Sequence, residues 1–303
     1  MAFASRVGLV VLATVVFGVS ATLQDGGTTV ANVSRALGAT DLKTIQYSGT
    51  GFTYAFAQSY RPDSAYPKFH ATYSRVIDYD RGLAREEIVR TQFEDPPRGG
   101  GGQPLYTEAR AAAVVNPNSA WGGGALALTP HGFVKAAANA SPTIGSRRVG
   151  SRTLTVISFP VRNEYRVEGY VNDQNLIERI DTWTPNPILG DTLIQTTFGD
   201  YRMFGNLRFP TRIVQKQGGF PTLEVTITDV RPGAPVNLQA PPPATPQPAR
   251  AESELVAPGV WYLSGSPEPN SQLVELCDYT VLIESSVSEA RALANLAEAR
   301  KLV

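Results

Sequence analysis

Two histidines, His70 and His131, are the only imidazoles in the 303-residue chain, and they bound the chemistry it can perform. A catalytic zinc takes three protein ligands and keeps a position open for a water whose pKa it lowers to about 7. Neither histidine stands in an H-x-H or H-E-x-x-H context. His70 falls in a stretch with strand character and His131 just inside a helix start, so both read as hydrogen-bonded structural side chains. Nucleophilic catalysis fares no better, because neither G-x-S-x-G nor S-x-x-K occurs. Asp78 and Asp80 form an Asp-x-Asp without the rest of a calcium loop, and Asp80-Arg81-Gly82 reads as a tight turn. Gly49-Thr50-Gly51 lacks the third glycine and the following helix of a dinucleotide loop. The run from Gly99 to Gly102 lacks the Lys-Ser/Thr of a phosphate loop, and Asn32-Val33-Ser34 is a formal glycosylation sequon. The sequence therefore assigns no catalytic, cofactor-binding or metal-ligating residue.

With 27 basic and 27 acidic residues the net charge is zero, which leaves no basic field to attract nucleic acid. The hydrophobic share of 42% is enough to build a core in a chain long enough for two domains. At the amino terminus Arg6 precedes an apolar run from Val7 to Val19, and Val19-Ser20-Ala21 offers small residues for cleavage. Residues 1–21 read as a secretory signal peptide, because the apolar run falls short of the ~20 residues that span a bilayer. The mature chain is expected to be exported, periplasmic or extracellular, without a stable membrane span. Cys277 is the single cysteine, so no internal disulfide forms and the thiol reads as an inert strand residue.

Residues 25–236 are dominated by strand signals. Thr44 to Phe56, Lys68 to Tyr79 and Leu83 to Phe93 read as strands, the last two as a hairpin. Six more follow: Arg152 to Phe159, Glu164 to Asn172, Leu176 to Trp183, Thr192 to Asp200, Leu207 to Gln215 and Leu223 to Val230. Leu223, Val225 and Ile227 share one face and Glu224, Thr226 and Thr228 the other, as in an antiparallel sheet buried on one side. Asn32 to Leu37 reads as a short helix, and Thr129-Pro130 starts another that buries Phe133, Val134, Ala137 and Ala138 and ends at Ser141-Pro142. Tyr106 to Val115 reads as a short helix or a mobile cover, and Asp95 to Gly102 and Gly122 to Gly124 as loops. A meander buried on one face needs something in its concavity. The layout, with Phe198-Gly199-Asp200-Tyr201-Arg202 followed by Gly205-Asn206-Leu207-Arg208-Phe209-Pro210, resembles the lipoprotein-carrier family. That resemblance implies an incomplete antiparallel barrel around helices and an apolar cavity for a lipid-like ligand. Phe159, Tyr165, Trp183 and Phe198 are candidate lining residues, or ordinary core.

Residues 237–251 read as a proline-rich, semi-rigid linker. In residues 252–303, Glu254 to Gly265 and Asn270 to Glu284 have strand character, and Ala290, Leu293, Ala294, Leu296, Ala297 and Leu302 recur at helical spacing after a Ser288 N-cap. Pro258-Gly259-Val260-Trp261, Asn270-Ser271 and Glu284 in this order resemble the opening of the metallo-β-lactamase superfamily. The resemblance implies an α+β chain: an antiparallel half-barrel-like sheet, then the first strand-strand-helix unit of an incomplete αββα domain. It also implies a zinc-dependent hydrolase whose metal-binding part is absent, so that this chain holds no cofactor and is inactive. The alternative function is a periplasmic module that binds lipid or another hydrophobic ligand without catalysis.

Overall fold

The computed structural model describes residues 26–115, 122–161, 165–186, 190–242, 248–266, 270–284 and 288–303. The stretch read as a signal peptide lies outside them, as do Glu164 and part of the proline-rich segment. The described residues fall into two compact units, those of 26–184 with 192–239, and those of 185–191 with 240–303.

The first unit begins with α1 (Gly26–Leu37) and β1 (Thr44–Tyr54), β2 (Lys68–Asp78), β3 (Leu83–Gln92) and β4 (Ala109–Val115). Then come α2 (Gly122–Ala127), α3 (Pro130–Ala138), β5 (Thr143–Val149), β6 (Arg152–Val161), β7 (Tyr165–Val171), β8 (Ile177–Asn186), β9 (Gly190–Phe204), β10 (Leu207–Gln217) and β11 (Phe220–Pro232). These strands make one 11-stranded sheet in the order β4-β3-β2-β1-β11-β10-β9-β8-β7-β6-β5. Every neighbour but one follows in sequence. The exception is β1 beside β11, which joins the first and last strands in the antiparallel sense.

Period-two alternation makes this sheet one-sided. Ile45 and Tyr47 of β1, Phe69, Ala71, Tyr73 and Ile77 of β2, and Val225 and Ile227 of β11 are buried. The same core takes Val30, Val33 and Leu37 from α1 and Phe133, Val134 and Ala137 from α3. Thr129 caps α3 by accepting from the Gly132 amide at 3.2 Å, and Pro130 fills the first turn, where its missing N–H costs nothing. Phe133 lies so close to β7 that a Cβ at Gly169 would stand 2.3 Å from its ring.

Several expectations are corrected here. Residues 109–115 form neither helix nor cover but edge strand β4. Its Ala-rich run has helical propensity, yet it pairs with β3 from Ala84↔Val115 to Arg90↔Ala109, and Arg110 Nη1 meets Glu87 at 2.8 Å. Gly122 to Gly124 opens α2 rather than a loop, and α1 starts six residues before Asn32, at Gly26. Strand β5 carried no recognisable alternation because as an edge strand it is exposed along most of its length.

The second unit contains β12 (Arg250–Ala257), β13 (Val260–Ser266), β14 (Ser271–Glu275), β15 (Thr280–Ile283) and α4 (Glu289–Ala299). The sequence reading expected strand, strand, helix, as in the opening of an αββα domain. The structure has a four-stranded antiparallel meander, β12-β13-β14-β15, followed by the helix. The difference arises at Pro258-Gly259, where Gly259 takes φ +75 and folds Glu254 to Gly265 back on itself. Together the two sheets make the described chain mostly β, not α+β. Leu263, Leu273 and Ala299 form a small core here. Arg291 is fully buried beneath it, with Nη2 donating to the Leu263 carbonyl at 3.3 Å and Nη1 to that of Arg250.

Candidate functional site

Small residues recur in register across β1 to β4. Gly51 pairs with Ala71, Ala71 with Arg90, and Arg90 with Ala109, so one row across four strands carries a single large side chain. Neither Gly49 nor Gly51 can be enlarged: a Cβ would come within 2.0 Å of the Thr226 carbonyl oxygen at one and 1.9 Å of the Glu224 carbonyl oxygen at the other. Glycine inside a strand marks such close backbone approach. A cavity of about 290 Å³ lies on the helix-bearing face of the sheet. That is the lower end of the range for small-molecule pockets, roughly 300 to 1,000 Å³.

Its walls combine an apolar body with a few polar groups. Ile88, Phe198, Phe209, Ile213 and Leu223 supply apolar surface, and α2 contributes Ala125. On one wall Tyr73 donates to Glu86 Oε2 at 2.6 Å, and Arg75 Nη1 stands 3.5 Å from the same oxygen. Arg75 Nη2 donates to the Ala125 carbonyl at 3.2 Å, which ties α2 to β2. Burial, aided by Tyr47, pushes the Tyr73 phenol well above its ordinary range. Burial works against the Arg75 charge, but Tyr47, Tyr73 and Glu86 outweigh it and hold the guanidinium protonated. Elsewhere on the wall the polar groups lack partners. Thr53 Oγ1 and Arg90 Nε are buried without a hydrogen bond, although each residue lines the cavity.

The residues singled out in sequence do not converge here. His70 is exposed on the opposite face of the sheet, with ring centroids 5.5 Å from Phe52 and 5.0 Å from Phe93. His131 is fully buried, donates from Nε2 to the Arg208 carbonyl at 3.1 Å, and stacks on Phe209 at 5.5 Å. Asp78 accepts from the Arg81 amide at 3.0 Å, the role expected of an aspartate at a turn. Of the four aromatic candidates only Phe198 lines the cavity; Phe159 packs in the core against Phe133 and Trp183 lies under Arg166 at 5.6 Å. The residues that matter, Arg75, Glu86 and Arg90, were missed. Their signal was parity: Arg75 shares the inward steps of β2 with Phe69, Ala71, Tyr73 and Ile77, and Glu86 and Arg90 share those of β3 with Ala84 and Ile88.

A zinc hydrolase is not supported. Among the described residues no group of three His, Cys, Asp or Glu side chains is placed to hold a metal. The residues that carried the metallo-β-lactamase resemblance are accounted for by local structure. Gly259 makes a turn, and Ser271 is buried, donating to the Glu284 carbonyl and accepting from Asn295 Nδ2 at 2.7 Å. Trp261 packs on the small core.

No protein-family model matches the chain, and no curated protein matches it. Three solved structures are similar. A LolA superfamily protein from Nitrosomonas europaea is 11% identical, with 70% of this chain and 96% of that one covered and a TM-score of 0.39. A DUF1329 family protein from Desulfovibrio piger is 10% identical, with 71% and 95% covered and a TM-score of 0.38. A "putative outer membrane lipoprotein-sorting protein domain" from Vibrio parahaemolyticus is 7% identical, with 70% and 95% covered and a TM-score of 0.36. The expectation of a truncated metallo-β-lactamase superfamily member is corrected: the tail is a four-stranded antiparallel meander followed by one helix, and no family model matches the chain.

Proposed function

We propose that the first unit is a binding module for a hydrophobic ligand, held in the cavity between the sheet and α2. One observation carries this reading: a cavity of about 290 Å³ whose walls are mainly apolar, with Ile88, Phe198, Phe209, Ile213 and Leu223 among them. A sheet interior normally packs to crystal-like density, and a void of this size costs stability, so its retention calls for an occupant. Tyr73, Glu86 and Arg75 engage one another on the wall, which suits holding rather than transforming a ligand.

Delipidated protein should enhance the fluorescence of aminoanthracene, a neutral apolar probe, with saturable one-to-one stoichiometry, and decanol should displace it. Ala113→Trp, which fills the cavity from the exposed edge strand β4, should abolish the signal without changing the far-UV dichroism. A wild-type protein that binds neither probe nor decanol sinks the reading.

Export belongs to the same proposal and rests on Arg6 and the apolar run from Val7 to Val19; amino-terminal sequencing of the protein recovered outside the cytoplasm tests it. Among the described residues no helix is long and apolar enough to cross a membrane. We also propose that the segment after Gln239 is a linker between separately folded units. Leu238 is still anchored, its carbonyl accepting from Arg81 Nη1 at 2.7 Å, so limited proteolysis should cut beyond it and leave residues 26–239 intact.

A further inference from the structure

The cavity wall holds two arginines, each with a buried Nε that lacks a hydrogen bond, and they differ in what their terminal nitrogens meet. Arg75 faces a carboxylate, Glu86, and a carbonyl, Ala125. Arg90, on the next strand, forms no ion pair and no side-chain hydrogen bond among the described residues, and its Nε is buried. A guanidinium is always charged and presents its donors in a rigid fork that matches a carboxylate. Taking such a group from water without a partner is costly, and proteins as a rule pair it. Thr53, with 1% of its surface exposed, places a second unpartnered polar atom, Oγ1, in the same cavity. The neighbours of Arg90 in the sheet are Ala71 and Ala109, which leave its fork unobstructed.

We propose that the ligand is an anionic amphiphile whose head group, a carboxylate or a group of like charge and geometry, pairs with Arg90 while its apolar chain lies along Phe198, Ile213 and Leu223. This rests on the reading of the cavity as a ligand site and specifies the chemistry of what enters it. The head group supplies the acceptor that Arg90 and Thr53 lack, and charge-assisted bidentate pairing selects the acid over a neutral molecule of the same length.

Decanoate and decanol, titrated against bound aminoanthracene at pH 7.5, separate the two propositions. Decanoate should bind at least ten-fold tighter than decanol to the wild-type protein. Arg90→Met should remove that preference and leave decanol affinity unchanged, and Arg90→Lys should keep part of it. Equal affinities for acid and alcohol, or a preference that survives in Arg90→Met, overturn this inference but leave the hydrophobic site standing. Binding of neither ligand overturns both. Should Arg90→Met fail to fold, the comparison of acid with alcohol on the wild-type protein decides by itself, and loss of the preference at high salt identifies it as electrostatic.

Discussion

Protonating His131 should destabilise the first unit in mild acid. The imidazole is fully buried, Nε2 donates to the Arg208 carbonyl, and Nδ1 has no hydrogen-bond partner. Burial lowers its pKa from 6.5 to about 4, and the charge of Lys135 adds to this, while the carbonyls of Arg208 and Leu37 pull the other way. Between those two pH values the unfolded chain binds a proton that the folded chain refuses. Stability from this group is therefore complete above pH 6.5, falls as the pH drops, and stops falling below about pH 4. The shift spans 2.5 units (6.5 minus about 4), or about 3 kcal/mol at ~1.4 kcal/mol per unit. Against a typical domain stability of ~5 to 15 kcal/mol, that loss is visible in a denaturation curve.

The assay is urea unfolding by far-UV dichroism at pH 7.0 and pH 4.5, on the wild-type protein and on His131→Phe. Phenylalanine keeps the stack on Phe209 and removes the titrating nitrogen, at a cost of ~1 kcal/mol for the lost hydrogen bond to Arg208. The wild-type protein should lose about 2 kcal/mol more than the variant between the two pH values. Carboxylates such as Glu178 and Glu94 titrate in both proteins and cancel in the difference. Equal losses in the two proteins would refute the assignment of acid sensitivity to this side chain.

Three further substitutions probe other contacts. Arg75→Met removes the partner of Glu86 and the bond to the Ala125 carbonyl, and should cost ~2 to 4 kcal/mol while accelerating amide exchange in α2 more than in β2; unchanged exchange in α2 would deny the tether. Gly169→Ala drives a methyl group against the Phe133 ring and should lower the unfolding free energy by ~1 to 3 kcal/mol, measured by urea titration; a neutral effect would mean that α3 moves freely away from β7. Ser288→Ala removes the acceptor of the Arg291 amide at the start of α4, for ~1 kcal/mol seen as faster exchange at the first turn of that helix alone.

Central strands were legible in the sequence and edges were not, and the reason is burial. β1, β2 and β11 bury one face, so selection for apolar residues falls on alternate positions and the pattern prints itself on Ile45 and Tyr47 or Val225 and Ile227. β4 and β5 at the two ends of the sheet bury almost nothing, and Ala109 to Val115 then follows propensity for helix while its backbone follows the neighbouring strand. In the tail, Ser288 announced the helix cap correctly because capping is local chemistry. The same tail misled at the level of family, since a Pro-Gly turn before an apolar strand and a buried Ser271 serve any small antiparallel sheet.

The cavity shows a further limit of reading chemistry from motifs. No catalytic or binding motif touches Gly51, Ala71, Arg90 or Ala109, which lie up to 58 residues apart (109 minus 51) and meet only through register. Each is unremarkable alone. Of the four only Arg90 lines the cavity, where it shares the wall with Arg75. A site of this kind is a property of pairing rather than of composition. An arginine at an inward step, with an alanine opposite it on each neighbouring strand, is its sequence signature once the strand order is known. A binding site in an antiparallel sheet can thus be assembled by residues that meet only through strand pairing.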